Sequence, residues 1–144
     1  MTRPSADAYF MRIAHEAAAR STCNRARVGA VLVFDGHIVS TGYNGSIGGL
    51  EHCDDIGHLL VENHCIRTVH AEANAIAQAA KLGHATRGSV CYVTHFPCLH
   101  CVKALLSAGI AEVVYDIDYR MDAYAVMFLN KKGITYRKSS PRND

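Results

Sequence analysis

His70-Ala71-Glu72-Ala73-Asn74-Ala75-Ile76 and, after 24 residues beyond Glu72, Pro97-Cys98-Leu99-His100-Cys101 are the stretches whose reading decides the fold. Each opens a helical pattern directly after an extended one. The spacing predicts a helix from His70 to Lys81 with Gly83 just past its end, and another from Cys98 to Ser107 closed by Gly109. His70 and Cys98 then fall at helix N-termini, where unpaired N–H groups and the positive dipole end lower the pKa of nearby thiols. Cys98 and Cys101 are three apart, so one helical turn brings both sulfurs to one side. One His and two Cys can hold Zn²⁺ and leave a fourth position open for water. Glu72, two residues beyond His70, is placed to carry protons there without being a ligand. Two readings compete: a closed metal knot with Glu72 as the fourth ligand, and a Cys-x-x-Cys that merely packs.

Working outward, Pro4 to Ala19 reads as a helix, with Pro near its first turn and Ala8, Met11, Ala14, His15 and Ala18 at helical spacing. Val28 to Phe34 is rich in β-branched residues, and Asp35-Gly36 turns it into His37 to Tyr43 as a hairpin. Gly42 to Glu62, rich in Gly, Asp and His, reads as a long functional loop. Ser89 to Thr94 is a strand, with Cys91 in the core and His95 on a pocket wall. Glu112 to Tyr115 is a short strand, Met121 to Lys131 a helix and Ile134 to Tyr136 a last strand. The order α-β-β-α-β-α-β-α-β predicts one three-layer α/β/α domain over residues 1–144, with helices on both faces of a mixed five-stranded sheet.

A chain of 144 residues with 49% hydrophobic content buries a core without disulfide staples. Fifteen basic and 13 acidic residues leave a net charge of +2, which lacks the footprint of a nucleic-acid binder and favours a small substrate. No apolar run approaches a membrane span of about 20 residues, and the N-terminal stretch lacks the apolar core of a secretion signal. Six Cys and nine His are therefore read as metal ligands and buried thiols of a cytoplasmic protein rather than a disulfide framework.

The His-x-Glu and Pro-Cys-x-x-Cys pair matches the signature of zinc-dependent nucleobase deaminases. Together with Val28-Gly29-Ala30-Val31 and Gly42-Tyr43-Asn44-Gly45, it makes residues 5 to 136 resemble the deoxycytidylate (dCMP) deaminases, bacterial and phage branch. Ile47 departs from the Pro often found in that family's Gly-Tyr-Asn-Gly-x-Pro loop. The resemblance implies the cytidine deaminase-like fold and zinc-dependent conversion of dCMP to dUMP and ammonia. His70, Cys98 and Cys101 would be the ligands and Glu72 the catalytic carboxylate. The carbonyl of Thr94 or His95 is a candidate to orient the leaving amine.

Asn44 would bind the sugar, with an Asn-Gly turn as the competing reading. Val28 would line the base and Tyr119 pair with its ring, against plain packing for both. Arg25 and Arg27 would clamp a 5′-phosphate, against a solvated basic face. Cys23, Cys53, His58, His64 and Cys65 crowd together, and the resemblance implies a second, structural zinc on Cys23, Cys53, His58 and Cys65. It also implies a hexamer activated by dCTP with Mg²⁺ and inhibited by dTTP, for which Gly42, Tyr43, Gly45 and Lys81 are candidate triphosphate contacts. A deaminase of another base (cytidine, guanine or tRNA adenosine) and a zinc-stabilised nucleotide sensor without catalysis are the alternatives. Glu72 separates the last from the rest, because a sensor has no use for a carboxylate beside an open metal position.

Overall fold

The computed structural model describes residues 2–139. In chain order the elements are α1 (Ala6–Ala19), β1 (Gly29–Phe34), β2 (His37–Tyr43), β3 (Gly45–Ser46), α2 (Cys53–Ile56), β4 (Leu60–Val61) and β5 (His64–Cys65). They continue with β6 (Thr68–Val69), α3 (Ala71–Leu82), β7 (Val90–His95), α4 (Leu99–Ser107), β8 (Glu112–Ile117), α5 (Ala123–Lys132) and β9 (Thr135–Lys138). The main sheet has five strands in the order β2-β1-β7-β8-β9. Its first two pairings are antiparallel and its last two parallel. The expected mixed sheet is therefore present.

The layers follow from period-2 alternation along the central strands. Val31 and Val33 of β1, Tyr92 of β7 and Val114 of β8 pack with Phe10, Met11 and Ala14 of α1. Their neighbours Ala30, Leu32, Cys91, Val93, Val113 and Tyr115 face the other way, against α3, α4 and α5 through Ala71, Ala75, Val102, Leu105, Ala125 and Leu129. One helix covers one face and three cover the other. Both faces of the inner strands are thus buried, which is why they read as continuous apolar runs.

Two expectations shift. Pro4 lies before the N-cap of α1 rather than inside its first turn, because the Ser5 hydroxyl takes the cap and accepts from Ala8 N–H at 3.1 Å. The predicted 42–62 loop is not without structure. Gly45–Ser46 pairs with Thr68–Val69, and Leu60–Val61 with His64–Cys65. Glu62 and Asn63, both at positive φ, make the tight turn of that second hairpin. Two-residue strands carry too little periodicity to be read from sequence. Among the described residues no helix is long and apolar enough to cross a membrane.

Far from the strand ends that form the cleft, Arg137 on β9 donates to both carboxylate oxygens of Asp7 on α1 and, at 3.0 Å, to Glu112 on β8. The Tyr92 hydroxyl donates to Asp7 at 2.8 Å. The Arg137 hydrogen bonds hold the Asp7 carboxyl below its ordinary pKa despite burial. A depressed carboxyl contributes stability above its unfolded pKa and loses it as pH falls through the folded value. Asp7→Asn should cost about 1–2 kcal/mol, or about 3–6 °C in Tm, at pH 7. The gap to wild type in thermal melts should close as pH drops below about 4; a gap constant with pH would assign the loss to packing.

Candidate active site

Four strand ends meet at one edge of the sheet. β1 runs antiparallel to both neighbours, so its start at Gly29 lies beside the end of β2 at Tyr43 and near the end of β7. β7 and β8 are parallel and end together, with His95 opposite Ile117. Crevices at the carboxyl ends of strands are where α/β proteins bind ligands. Here the crevice is a cavity of about 340 Å³. Among its lining residues are Val28, Asn44, His70, Glu72, His95, Cys98 and Tyr119.

His70 is the N-cap of α3 and Cys98 the N-cap of α4, and neither side chain caps its own helix. Both are thereby left to point at each other. His70 Nδ1 lies 3.6 Å from Cys98 Sγ and 3.4 Å from Cys101 Sγ. Tetrahedral zinc at its usual bond lengths puts N and S ligands about 3.6 Å apart, so these three groups fit the ion. The Cys98 thiol is drawn down to about 3, first by a hydrogen bond from Cys101 and then by His70. Cys101 is pushed up by the same Cys98 sulfur and by burial. His70 is raised, chiefly by its hydrogen bond to Cys98. A metal ion replaces this shared proton with a charge that all three ligands can face.

Glu72, in the first turn of α3, is 4% exposed and yet lines the cavity. Burial pushes its carboxyl up to about 7, with the nearby Cys98 sulfur adding to the rise. A carboxyl poised near neutrality can both take and return a proton. The three ligands and Glu72 form an open site beside a general acid–base, which argues against the closed-knot reading.

Residues 4–117 match the family described as the cytidine and deoxycytidylate deaminase zinc-binding region. The chain belongs to this family of zinc-binding deaminases. ComE operon protein 2 of Bacillus subtilis is 47% identical over 135 residues, covering 94% of this chain and 71% of that protein. The deoxycytidylate deaminase of Mycobacterium phage D29 is 38% identical over 127 residues, covering 80% of this chain and 97% of that one. The Saccharomyces cerevisiae deoxycytidylate deaminase is 38% identical over 97% of this chain, which spans 46% of the yeast protein. Among solved structures, the dCMP deaminase of cyanophage S-TIM5 in complex with dCMP and dUMP superposes with a TM-score of 0.82 at 29% identity. That match covers 96% of this chain and 99% of the phage chain.

The other predicted site residues of this deaminase divide. Arg25 lines the cavity and donates to the Asn63 carbonyl at 3.1 Å. Arg27 does not line it: its guanidinium donates to the Ser21 carbonyl, so it braces the segment before β1. Tyr119 meets His95 edge-on, 5.4 Å between ring centres. Asn44 lines the cavity too, while its amide accepts from Val28 N–H at 2.8 Å and donates to the Ala26 carbonyl. It is therefore a brace for the cavity wall rather than a free turn residue.

The segment Gly42–Ser46 is not an open turn with backbone N–H groups to spare. Gly42 and Tyr43 belong to β2, and Gly45 pairs with Val69. Lys81 ends α3, away from the cavity lining. Cys23, Cys53, His58 and Cys65 offer ligand atoms all within 4.8 Å of one another, whereas His64 lines the cavity instead.

Sequence reasoning missed Gly42's packing role, Asn74 and Arg120. A Cβ on Gly42 would stand 2.3 Å from the Ala71 carbonyl oxygen and 2.5 Å from Ala75 N, so α3 lies with its backbone against β2. Asn74 Nδ2 donates to the Tyr43 carbonyl at 2.8 Å and pins the first turn of α3 beside His70. Only its place in the quoted motif could have marked it. Gly42→Ala should shift α3, cost about 1–3 kcal/mol and weaken metal retention at His70, Cys98 and Cys101. Thermal melts and zinc analysis after dialysis check this; wild-type values in both would show that the seat yields at no cost.

Proposed function

We propose that this deaminase hydrolyses dCMP to dUMP and ammonia. The observation that carries the reading is the buried Glu72 carboxyl beside His70, Cys98 and Cys101, in a cavity that also takes in Arg25. The deoxycytidylate deaminases among its relatives, and the phage structure holding dCMP and dUMP, support the substrate. Zinc on His70, Cys98 and Cys101 supplies a water activated near neutral pH. Glu72 takes a proton from that water as its oxygen bonds to C4 of the ring and delivers one to N3. It then passes a proton to the amino group as the C4–N bond breaks and ammonia leaves. Val28, Tyr119 and His95 flank the base, Asn44 meets the sugar, and Arg25 faces the 5′-phosphate.

The cluster Cys23, Cys53, His58 and Cys65 is the place for a second, structural zinc. The Cys53 and Cys65 sulfurs are 3.5 Å apart, and Cys23 Sγ is 3.5 Å from His58 Nδ1, spacings that suit a closed tetrahedral site. Burial raises the Cys65 thiol, but backbone hydrogen bonds from Leu59 and Arg67 outweigh it and bring it to about 6. Burial and its thiol neighbours push Cys53 up to about 12. Regulation by dCTP with Mg²⁺ and by dTTP in a hexamer rests on the family resemblance. Its test is whether sigmoidal dCMP kinetics become hyperbolic with dCTP·Mg²⁺ and are suppressed by dTTP.

Ammonia release measured in parallel on dCMP, CMP, cytidine, dCTP and guanine should be fastest on dCMP; a preference for another substrate would replace the reading. Glu72→Gln should keep the metal and lose about 10³-fold or more in kcat, since it removes proton transfer alone. Near-wild-type turnover in that variant would overturn the mechanism. Elemental analysis should find about two zinc ions per chain, falling toward about one in Cys53→Ala with a lower Tm. A value near one in the wild type would leave these residues as ordinary thiols and imidazole.

A further inference from the structure

Among the described residues lining the cavity, Arg25 and Arg120 are the two with permanent positive charge, and Glu72 is the one carboxylate. Arg25 precedes β1, and Arg120 follows β8. In the sheet order β7 stands between those strands, so the two arginines reach the cavity from either side of it. Asn63 on the β4–β5 turn fixes Arg25 through its carbonyl. Tyr119 supports Arg120, whose guanidinium carbon lies 5.3 Å from the ring centre. The ring is itself propped by His95. His95 is held below its usual pKa, first by burial and then by the charge of His15, so it adds no cation of its own near neutral pH.

The acids nearest Arg120 in sequence are engaged elsewhere. Asp116 meets His15 at 2.6 Å, Asp118 accepts from Lys138 at 3.1 Å, and Asp122 caps α5 by accepting from Tyr124 and Ala125 N–H. No ion pair to Arg120 occurs among the described residues. Its backbone is also strained, at φ 43 in the left-handed region that non-glycine residues avoid. Such strain gathers at sites where a side chain must be aimed. A stacked, unpaired guanidinium aimed at a cavity suits a planar, bidentate grip on an anion.

We infer that Arg120 is a specificity-determining residue that grips the 5′-phosphate from the side opposite Arg25, with Tyr119 as the platform that holds its guanidinium. This rests on the nucleotide reading above. A phosphate dianion takes two arginines without competition for its oxygens, and a nucleoside offers neither arm anything. Arg120 touches no reacting atom, so it acts on binding and leaves chemistry alone. Lys at the same place keeps a charge but loses the planar fork and the stacking.

The test compares zinc-loaded wild type, Arg120→Ala and Arg120→Lys on dCMP and on deoxycytidine, with calorimetric binding of dUMP and deoxyuridine alongside. Arg120→Ala should raise KM for dCMP about 10- to 100-fold with kcat within about threefold of wild type. It should leave kcat/KM for deoxycytidine and the affinity for deoxyuridine unchanged, while dUMP weakens in step with KM. Arg120→Lys should recover part of the loss. Equal losses on nucleotide and nucleoside, or no change on dCMP, would overturn the assignment while the wild type still prefers dCMP. A wild type indifferent to the 5′-phosphate would instead overturn the nucleotide reading and this inference with it.

Discussion

The seat of α3 on β2 is the constraint on which the rest depends. Gly42 has no Cβ, and the Ala71 carbonyl and Ala75 N of α3 occupy the space one would need. The Ser40 hydroxyl donates to the Ala75 carbonyl at 2.7 Å, and Asn74 donates back to Tyr43. Three successive residues along one face of β2 or its end thus meet one side of the helix. With α3 held this closely, its first turn projects His70 over the sheet edge and sinks Glu72 beneath it. Gly29 does the corresponding service on the opposite face, where a Cβ would collide with the Ala14 carbonyl of α1.

From that seat the electrostatics follow. A carboxyl at the buried start of a helix loses its hydration, and its pKa climbs to about 7. A few ångströms away two thiols and an imidazole share protons that a divalent ion displaces. The same edge of the sheet thus holds an acid–base kept near neutrality and a ligand set that favours positive charge. The pairing is useful for hydrolysis because each group does one task. The three ligands leave room for water, and Glu72 moves the protons.

The outer wall of the cavity is built differently. It comes from the segment before β1, from the β4–β5 hairpin and from the β8–α5 loop, none of which belongs to the main sheet. Cys23 and Cys65, the two cavity-lining members of the second cluster, stand two residues before Arg25 and two after Asn63. Whatever holds that cluster together also holds the Arg25–Asn63 contact. Binding and chemistry are therefore supported by separate parts of one small domain.

The motifs were legible because their chemistry is local. A helix start after a strand places His70 and Glu72, one turn places Cys98 and Cys101, and β-branched runs mark the strands that carry them. Period-2 alternation made the buried sheet equally readable. What sequence left open was which side chains of the outer wall face inward. Arg25 and Arg27 are two residues apart in an irregular segment, where no periodicity tells them apart. The tertiary structure turns Arg25 to the cavity and Arg27 to the Ser21 carbonyl. Likewise Gly42-Tyr43-Asn44-Gly45 reads as a turn in isolation, and pairing with β1 and β6 makes it strand. Arg120 gave no signal, since its neighbours and its aim are set by β8 ending beside β7, a contact distant in the chain. Ligand type and spacing belong to the sequence, because a helical turn fixes them within a few residues; the direction of each wall residue belongs to the fold, because only long-range packing decides which way an irregular segment turns.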